Sequence, residues 1–315
     1  MENLALHKAD IMDLSYIYRM FRSRFTDVDG VVYHHEEYPG PGEKVLLIHG
    51  FASSCYTWRS VAENLHGLGF HVYALDMMGF GWSDKPSQAE YDALSLMEGV
   101  AAWMDAVGLD SAVVGGNSLG GGVASLLALM HPEKVSRLIL VDALIPYADI
   151  AFPFLLKLAR FPFAGNLARF VITPATVRAT MRQIFYDPRL VTPGKVEAYH
   201  QRLSTPGCLE AQVKLARSLD PARFAKYLEM GKKMTVPALV IWGEEDRWLP
   251  VRFGHRLVSE RRARGRFVVL SRCGHMPQEE MPRATARLMA DFLEGLPLRE
   301  SNGRLYAHVE DLVAA

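Results

Sequence analysis

A serine in the middle of a glycine run is the residue of this sequence best suited to chemistry. Residues 116–120 have the spacing G-x-S-x-G around Ser118. A serine on a very tight turn between a strand and a helix needs this spacing, because the backbone leaves no room for side chains two residues before it or two residues after it. The turn would lift the hydroxyl above the sheet edge, at the positive N-terminal end of the following helix. The pattern predicts a serine nucleophile.

Two other kinds of turn use similar glycines. A glycine-rich turn with an incidental serine is common, but here Val113 and Val114 precede the motif and the apolar stretch 123–130 follows it. These flanks indicate the strand and the helix that the nucleophile requires. A phosphate- or dinucleotide-binding loop would need G-x-x-x-x-G-K-[ST] or G-x-G-x-x-G, and this run has neither spacing. We therefore favour the nucleophile.

A serine nucleophile needs a base, and the base needs an acid that orients it. His275 directly follows one predicted strand, and Asp246 follows the strand before it. The carboxyl ends of parallel strands lie at one edge of an open α/β sheet, so Ser118, Asp246 and His275 are predicted to meet there as nucleophile, acid and base. Asp142 also follows a strand; it is a rival acid, and we rank it second.

Other residues near these motifs have weaker roles. His49 precedes a polar glycine-containing loop and is expected to be a structural hydrogen-bonding residue. Together with Gly50, Asn117 and Met276 it is also assigned to the surroundings of the substrate. His255 lies inside a predicted helix, which is a poor position for the base.

The run His34-His35-Glu36-Glu37 contains residue types that bind metals. Side chains alternate between the two faces of a strand, so these four residues do not converge easily on one ion. The run predicts a solvated strand edge, and we expect no metal site.

Strands alternate with helices over most of the chain, beginning with a hairpin across Asp29-Gly30. This alternation is typical of a mostly parallel sheet with helices on both faces. The predicted strands are 24–28, 31–37, 44–48, 71–75, the strand that enters Ser118, 135–141, 237–242 and 266–270, the last of the sheet. The predicted helices of the core are 58–68, 95–107, 123–130 and 283–293.

The alternation stops between residues 146 and 233, where prolines punctuate a series of helical runs. A helical insertion between two strands of a sheet predicts a cap over the carboxyl ends of the strands. The predicted boundaries are an N-terminal amphipathic helix over 1–23, a core over 24–145 and 234–297, a helical cap over 146–233 and a C-terminal tail over 298–315 without an assigned role.

Composition narrows the classes of partner. The 35 basic and 35 acidic residues cancel, which speaks against nucleic acid as the main partner. Cys55, Cys208 and Cys273 are too few and too scattered for a disulfide framework or a zinc site.

No signal-peptide pattern is visible, so a cytoplasmic location is expected. The chain is also expected to be a monomer or a homodimer. Residues 9–25 have nearly helical apolar spacing; packing on the body of the protein is favoured, and peripheral membrane contact is the alternative.

Taken together, these motifs resemble the α/β-hydrolase fold family, in its serine-nucleophile branch with a helical cap. The resemblance extends from about residue 24 to about residue 295 and rests on the loops 49–51, 76–83, 116–120, 243–246 and 274–275. It implies a mostly parallel twisted sheet flanked by helices, a cap inserted after the sixth strand, and no cofactor. By resemblance, the oxyanion hole consists of the backbone N–H groups of Phe51 and Leu119.

The reaction that this resemblance implies is acyl transfer. His275 takes the proton of Ser118, and the two backbone donors hold the oxyanion, each typically contributing about 2.7–4 kcal/mol. A serine argues against the haloalkane dehalogenase and epoxide hydrolase branches, which use an aspartate. A carboxylesterase- or lipase-like serine hydrolase acting on a small-molecule ester of an apolar acid is expected.

Two alternatives stay open. The carbon–carbon hydrolases of meta-cleavage products share a G-N-S-x-G-G elbow like residues 116–121, but usually carry tryptophan where this chain has Met276. They use a cap arginine for the substrate carboxylate, for which Arg178, Arg182 and Arg202 are candidates. The second alternative is a ligand receptor that retains the triad.

Overall fold

The computed structural model describes residues 22–144, 172–219, 227, 229–232, 234–260, 265–296 and 306–312. The predicted amphipathic segment 9–25 lies mostly outside these residues, and so does the start of the predicted cap. Residues 23–25 belong to a strand, so the predicted helix cannot reach residue 25. None of the helices in the described part of the chain is long and apolar enough to cross a membrane.

A single mixed sheet organises the molecule. Its order is β1-β2-β4-β3-β5-β6-β7-β8-β9. The pairs from β4 to β8 are parallel, whereas β1, β2 and β9 pair antiparallel with their neighbours. The strands are β1 (Ser23–Val28), β2 (Val31–Tyr38), β3 (Lys44–Ile48), β4 (His71–Leu75), β5 (Ala112–Asn117), β6 (Val135–Val141), β7 (Ala238–Gly243), β8 (Gly265–Leu270) and β9 (Tyr306–Leu312).

Helices cover the sheet and form the described part of the insertion. The helices that accompany the core are α1 (Arg59–Gly67), α2 (Ala93–Ala106), α3 (Leu119–Met130), α7 (Arg252–Glu260), α8 (Pro277–Glu280) and α9 (Pro282–Leu293). The helices inserted between β6 and β7, which we call the cap after the prediction, are α4 (Pro174–Ile184), α5 (Pro193–Leu203) and α6 (Cys208–Ser218). Short 3₁₀ turns occupy Cys55–Trp58, Pro132–Lys134 and Pro188–Leu190.

The central strands are apolar on both faces because helices cover both. Along β3, Leu46 and Ile48 belong to one buried cluster, whereas Val45 and Leu47 belong to the cluster on the opposite face. A strand buried on both sides reads as a continuous apolar run rather than an alternating one. This explains why the central strands were predicted within one residue of their observed bounds, and the predicted mostly parallel sheet flanked by helices is confirmed.

The C-terminal end of the chain corrects the predicted strand count. The strand over 266–270 was expected to be the last, and residues 298–315 had no assigned role. Instead β9 pairs antiparallel with β8, with Gly265 opposite Leu312. The segment mixes His308, Glu310 and Asp311 with apolar residues. An edge strand has a neighbour on one side only and tolerates such polarity. The segment therefore has no apolar run from which β9 could have been predicted.

The histidines of β2 also depart from expectation. His34 and His35 are buried, with 2% and 3% of their surface exposed, rather than part of a solvated edge. The reason is topological: β2 lies between β1 and β4. Burial, together with the neighbouring charge of His34, lowers the pKa of His35 to about 4. The interior position of this strand could not be read from its polar sequence.

Candidate active site

The turn between β5 and α3 holds Ser118 in a strained conformation. Ser118 has φ 52° and ψ −121°, in the left-handed half of the backbone map that side chains disfavour. A Cβ at Gly116 would lie 2.2 Å from the carbonyl oxygen of Gly120, and a Cβ at Gly120 would lie 2.3 Å from that of Ile48. Glycine is therefore required at both ends of the motif, which is the physical reason for its spacing.

The N-terminus of α3 points its first amide groups at this serine. The carbonyl oxygen of Ser118 accepts the N–H groups of Gly121 and Gly122 at 3.0 and 3.2 Å. Leu119 is the first helical residue, and the first amides of a helix have no partner within it. The N–H group of Leu119, directly after the serine, thus lies at the positive end of the helix dipole.

The loop after β3 packs against the serine turn. A Cβ at Gly50 would lie 3.1 Å from the Cβ of Ser118, so only glycine allows this approach without displacement. His49 is fully buried; its Nδ1 lies 2.8 Å from the Gly50 carbonyl oxygen, and its Nε2 accepts the N–H of Met77 at 3.1 Å. These contacts require the tautomer with hydrogen on Nδ1. Burial lowers the pKa of His49, so a neutral His49 clamps the loop that carries Phe51.

Asp246 and His275 follow β7 and β8 and form a buried pair. Asp246 Oδ2 lies 2.6 Å from His275 Nδ1, and the residues are 5% and 3% exposed. Asp246 Oδ1 accepts the backbone N–H groups of Trp248 and Leu249 at 2.8 and 2.9 Å. With both oxygens occupied as acceptors, Nδ1 of His275 carries the hydrogen. The other ring nitrogen is left as a proton acceptor, which is the arrangement that a general base needs.

Parallel pairing brings the three predicted residues to one edge. Ser118, Asp246 and His275 follow three strands that all run in the same direction. The amide nitrogen of Asn117 donates to the carbonyl oxygens of Val141 at 3.1 Å and His275 at 3.2 Å. Asn117, assigned from the sequence to substrate binding, is 1% exposed, and its contacts tie the serine turn to the histidine loop.

The rival acid Asp142 occupies the same edge but does not hold the histidine. Its Oδ1 accepts the N–H of Gly243 at 2.9 Å, whereas the hydrogen bond to His275 Nδ1 is made by Asp246. Asp142 is fully buried. Burial first, and the adjacent charge of Asp246 second, raise the pKa of Asp142 well above its ordinary value.

The cap is hydrogen-bonded to the histidine loop. The His275 N–H donates to the carbonyl oxygen of Ile184, at the end of α4, at 2.8 Å. The carboxylate of Glu280 accepts the N–H groups of Gly274 at 2.9 Å and Tyr186 at 2.7 Å. Met276, predicted to contact substrate, is 4% exposed. It packs in an apolar cluster of the cap with Val177, Met181, Ile184, Phe185, Val191, Val196 and Tyr199.

The three cap arginines named from the sequence differ in environment. Arg182 is exposed and Arg178 is half-buried. The guanidinium of Arg202 lies over the rings of Tyr56 and Trp82, at 4.8 and 5.3 Å from their centroids, and donates to the carbonyl oxygen of Ala198. Arg202 thus joins α5 to the core by stacking.

A polar cluster that the sequence did not reveal lies between the cap and the loop after β3. Glu279 forms a 2.7 Å ion pair with Lys195 and accepts hydrogen bonds from Thr57 and from the hydroxyl of Tyr199. That hydroxyl lies 3.4 Å from Ser53. These residues come from three separate segments of the chain and share no motif, so no sequence signal pointed to them.

The chain is similar to several known proteins. The family model described as alpha/beta hydrolase fold matches residues 44–282. A 2-hydroxymuconate semialdehyde hydrolase of Pseudomonas putida is 30% identical over 263 residues, covering 81% of this chain and 88% of that protein.

Two solved structures are also similar. A mutant of the meta-cleavage product hydrolase of Pseudomonas fluorescens has a TM-score of 0.73 and 27% identity, covering 86% of this chain and 97% of its own. A bacterial membrane phospholipase A has a TM-score of 0.69 and 26% identity, covering 91% of each chain.

Proposed function

The chain belongs to the alpha/beta hydrolase fold family, and from that premise we propose that it is a serine hydrolase with Ser118 as nucleophile, His275 as base and Asp246 as acid. The observation that carries the proposal is the buried Asp246–His275 pair, 2.6 Å apart, at the same sheet edge as a serine held at φ 52°. A histidine oriented by an acid, with its other nitrogen unprotonated, is the base that a serine hydroxyl requires.

In the proposed reaction His275 takes the proton of Ser118 as the serine oxygen attacks a carbonyl carbon. The N–H groups of Leu119 and Phe51 stabilise the resulting oxyanion. His275 then protonates the leaving group, which departs, and water hydrolyses the acyl-enzyme with the same base. Asp246 keeps the imidazole in one tautomer and stabilises its protonated form. His49 and Gly50 hold the oxyanion loop against the serine.

For the substrate we propose a carboxylic ester of an apolar acyl group. Met276, directly after the base, belongs to the apolar cap cluster together with Met181, which suits an acyl chain. Arg202 is engaged by Tyr56 and Trp82, and Lys195 is paired with Glu279. The ion pair occupies Lys195, whereas stacking leaves N–H donors of Arg202 available, since its Nε is buried without a hydrogen-bond partner among the residues that the structure describes. The likeness to a phospholipase A, an ester hydrolase by its name, is compatible with this choice.

Carbon–carbon bond hydrolysis is the second candidate, and the comparisons favour it. The Pseudomonas putida relative and the Pseudomonas fluorescens structure both carry names of hydrolases of ring-cleavage products. Such a substrate needs a cation for its carboxylate. Arg202, with its unpartnered Nε, and Arg178, half-buried on α4, are the candidates to supply it.

The decisive experiment compares p-nitrophenyl esters of increasing acyl length with a meta-cleavage dienone acid, using wild type and Ser118→Ala. Ser23→Ala is the control, because the Ser23 hydroxyl also lies beside a buried histidine, 2.7 Å from Nε2 of His34. We expect ester turnover with an optimum at one chain length, lost in Ser118→Ala and retained in Ser23→Ala. Preferential turnover of the dienone would reverse the choice of substrate. No turnover, with no labelling of Ser118 by a fluorophosphonate, would contradict the serine mechanism and leave the receptor reading.

A further inference from the structure

A second buried carboxyl group lies against the Asp246–His275 pair. Asp142 follows β6, is 0% exposed, and uses Oδ1 to accept the N–H of Gly243. Its Oδ2 is buried without a hydrogen-bond partner among the residues that the structure describes. One side-chain ligand atom from each of Asp142, Asp246 and His275 lies within 4.8 Å of the other two. Two carboxylates this close in a buried site repel each other when both are ionised, which favours a proton on one of them.

The hydrogen bonds decide which of the two acids keeps a proton. Asp246 accepts three N–H donors, from Trp248, Leu249 and His275, and donors of this kind stabilise the ionised form. Asp142 accepts one, from Gly243. The proton therefore belongs on Asp142, where it also satisfies the otherwise unpartnered Oδ2.

We propose that Asp142 is a neutral carboxylic acid whose Oδ2 donates a hydrogen bond to the Asp246 carboxylate, and that it is a positioning residue for the triad. The inference rests on the proposed function. A donor on Asp246 holds its carboxylate towards His275, and a neutral Asp142 limits the negative charge beside the imidazole to that of Asp246. The other titratable groups near Asp142 are Cys273 and Glu280, both close to the histidine loop.

The backbone conformation of Asp142 guides the choice of two matched variants. Asp142 has φ 41°, a conformation that aspartate and asparagine tolerate better than most residues. Asp142→Asn keeps the shape, the backbone preference and a donor, and it cannot ionise. Asp142→Ala removes the donor and leaves the Gly243 N–H without its side-chain acceptor. If Asp142 positions the triad, Asp142→Ala should lose activity, whereas Asp142→Asn should keep most of the activity of the wild type.

The first measurement is the rate at which a fluorophosphonate labels Ser118, followed against pH. We expect Asp142→Ala to label about 10- to 100-fold more slowly than wild type, and Asp142→Asn to recover most of the rate. In the plot of labelling rate against pH, the midpoint on the acid side reports the pKa of the proposed base, His275. This midpoint should be the same in wild type and in Asp142→Asn, because the side chain at position 142 is neutral in both. A downward shift by about one unit in Asp142→Asn would mean that Asp142 is ionised and would overturn the proposal, as would wild-type labelling in Asp142→Ala.

The second measurement does not depend on activity. A native Asp142 with a raised pKa keeps a proton that the unfolded chain loses above about pH 4, so this group lowers the stability of the wild type progressively as pH rises. The Tm of Asp142→Asn minus that of wild type should therefore increase between pH 4 and pH 9. A constant difference would refute the neutral acid. Absence of labelling in the wild type would instead reject the proposed function, and the Tm series would still test Asp142.

Discussion

Two buried aspartate–histidine pairs lie in this molecule, and their side-chain geometry is nearly the same. Asp246 Oδ2 is 2.6 Å from His275 Nδ1, and Asp76 Oδ2 is 2.8 Å from His34 Nδ1. The second pair even has a serine, since Ser23 Oγ lies 2.7 Å from His34 Nε2. By side-chain distances alone, the trio of Ser23, His34 and Asp76 meets the description of a catalytic triad.

The backbone around each serine separates the two sets. Ser23 begins strand β1 and pairs in register with Glu36 of β2. Ser118 stands at φ 52° directly before α3, whose first N–H group, that of Leu119, is the proposed oxyanion donor. A relay of hydrogen bonds is thus insufficient without a turn that exposes the nucleophile and aims donors beside it.

The second pair instead stabilises a turn. The Asp76 carboxylate accepts the N–H groups of Cys55 at 2.6 Å and Trp82 at 2.9 Å, and a Cβ at Gly81 would lie 2.1 Å from Asp76 Oδ2. His34 joins this turn to β2. The pair therefore connects three segments of the core beneath the loop that carries Phe51, and we assign it a structural role.

The largest expected effect is a separation of activity between the two histidines. His275→Ala should lower kcat/KM by roughly 10⁴-fold or more, as removal of a triad base does. His34→Ala should leave kcat/KM near the wild-type value but lower the free energy of unfolding by about 3–5 kcal/mol, because it leaves the buried Asp76 charge unpaired.

Ester kinetics together with denaturant unfolding check this prediction. His34→Asn is the matched control, since its amide can still donate to Asp76 and should recover part of the lost stability. A fall in kcat/KM for the folded His34→Ala protein comparable to that of His275→Ala would remove the distinction between the pairs.

An intermediate effect should appear in the pH dependence of stability. Burial acts to raise the pKa of Asp76, but the hydrogen bond and charge of His34 outweigh it and hold that pKa well below its ordinary value. A lowered native pKa contributes stability that is present above the unfolded pKa of about 3.9 and is lost as pH falls below it.

The stability advantage of wild type over Asp76→Asn should therefore shrink as pH decreases from about 5 towards 2. Thermal unfolding of both proteins over this range measures it. This trend opposes the one expected for Asp142→Asn, whose difference from wild type grows towards alkaline pH. A pH-independent difference for Asp76→Asn would show that Asp76 does not titrate differently on unfolding.

The smallest effect concerns the described part of the cap, which is hydrogen-bonded to the backbone of His275. Glu280 accepts N–H donors from Gly274 and Tyr186, so Glu280→Gln, with one acceptor oxygen in place of two, should weaken the link between cap and histidine loop. Loss of one such bond predicts a decrease in kcat/KM of about three- to tenfold.

Steady-state kinetics test this link, with Glu279→Gln as the matched neighbour, which disturbs the ion pair to Lys195 instead. A decrease confined to KM would indicate an effect on substrate binding rather than on the position of His275. Unchanged kinetics in Glu280→Gln would mean that the histidine loop keeps its position without the link.

Much of the fold was predictable because short stretches of the sequence are enough to identify the strands. Strands 44–48, 71–75 and 135–141 were predicted with their observed bounds, since each contains a buried apolar run that ends before a polar residue. The same local signals placed Ser118, Asp246 and His275 after parallel strands. Their common edge follows from strand direction alone, and their roles remain a proposal from that placement.

Only the tertiary structure decided which polar residues are buried and which hydrogen-bond partners they have. His34 and Asp76 are 42 positions apart, and Glu279 and Lys195 come from the core and the cap. Asp142 and Asp246 face each other only because β6 and β7 are neighbours in the sheet. The burial of a polar group depends on the donors that long-range folding brings to it, and those partners leave no periodic signal in the sequence. For the same reason β9 was not predicted from the sequence, because it forms by pairing with β8.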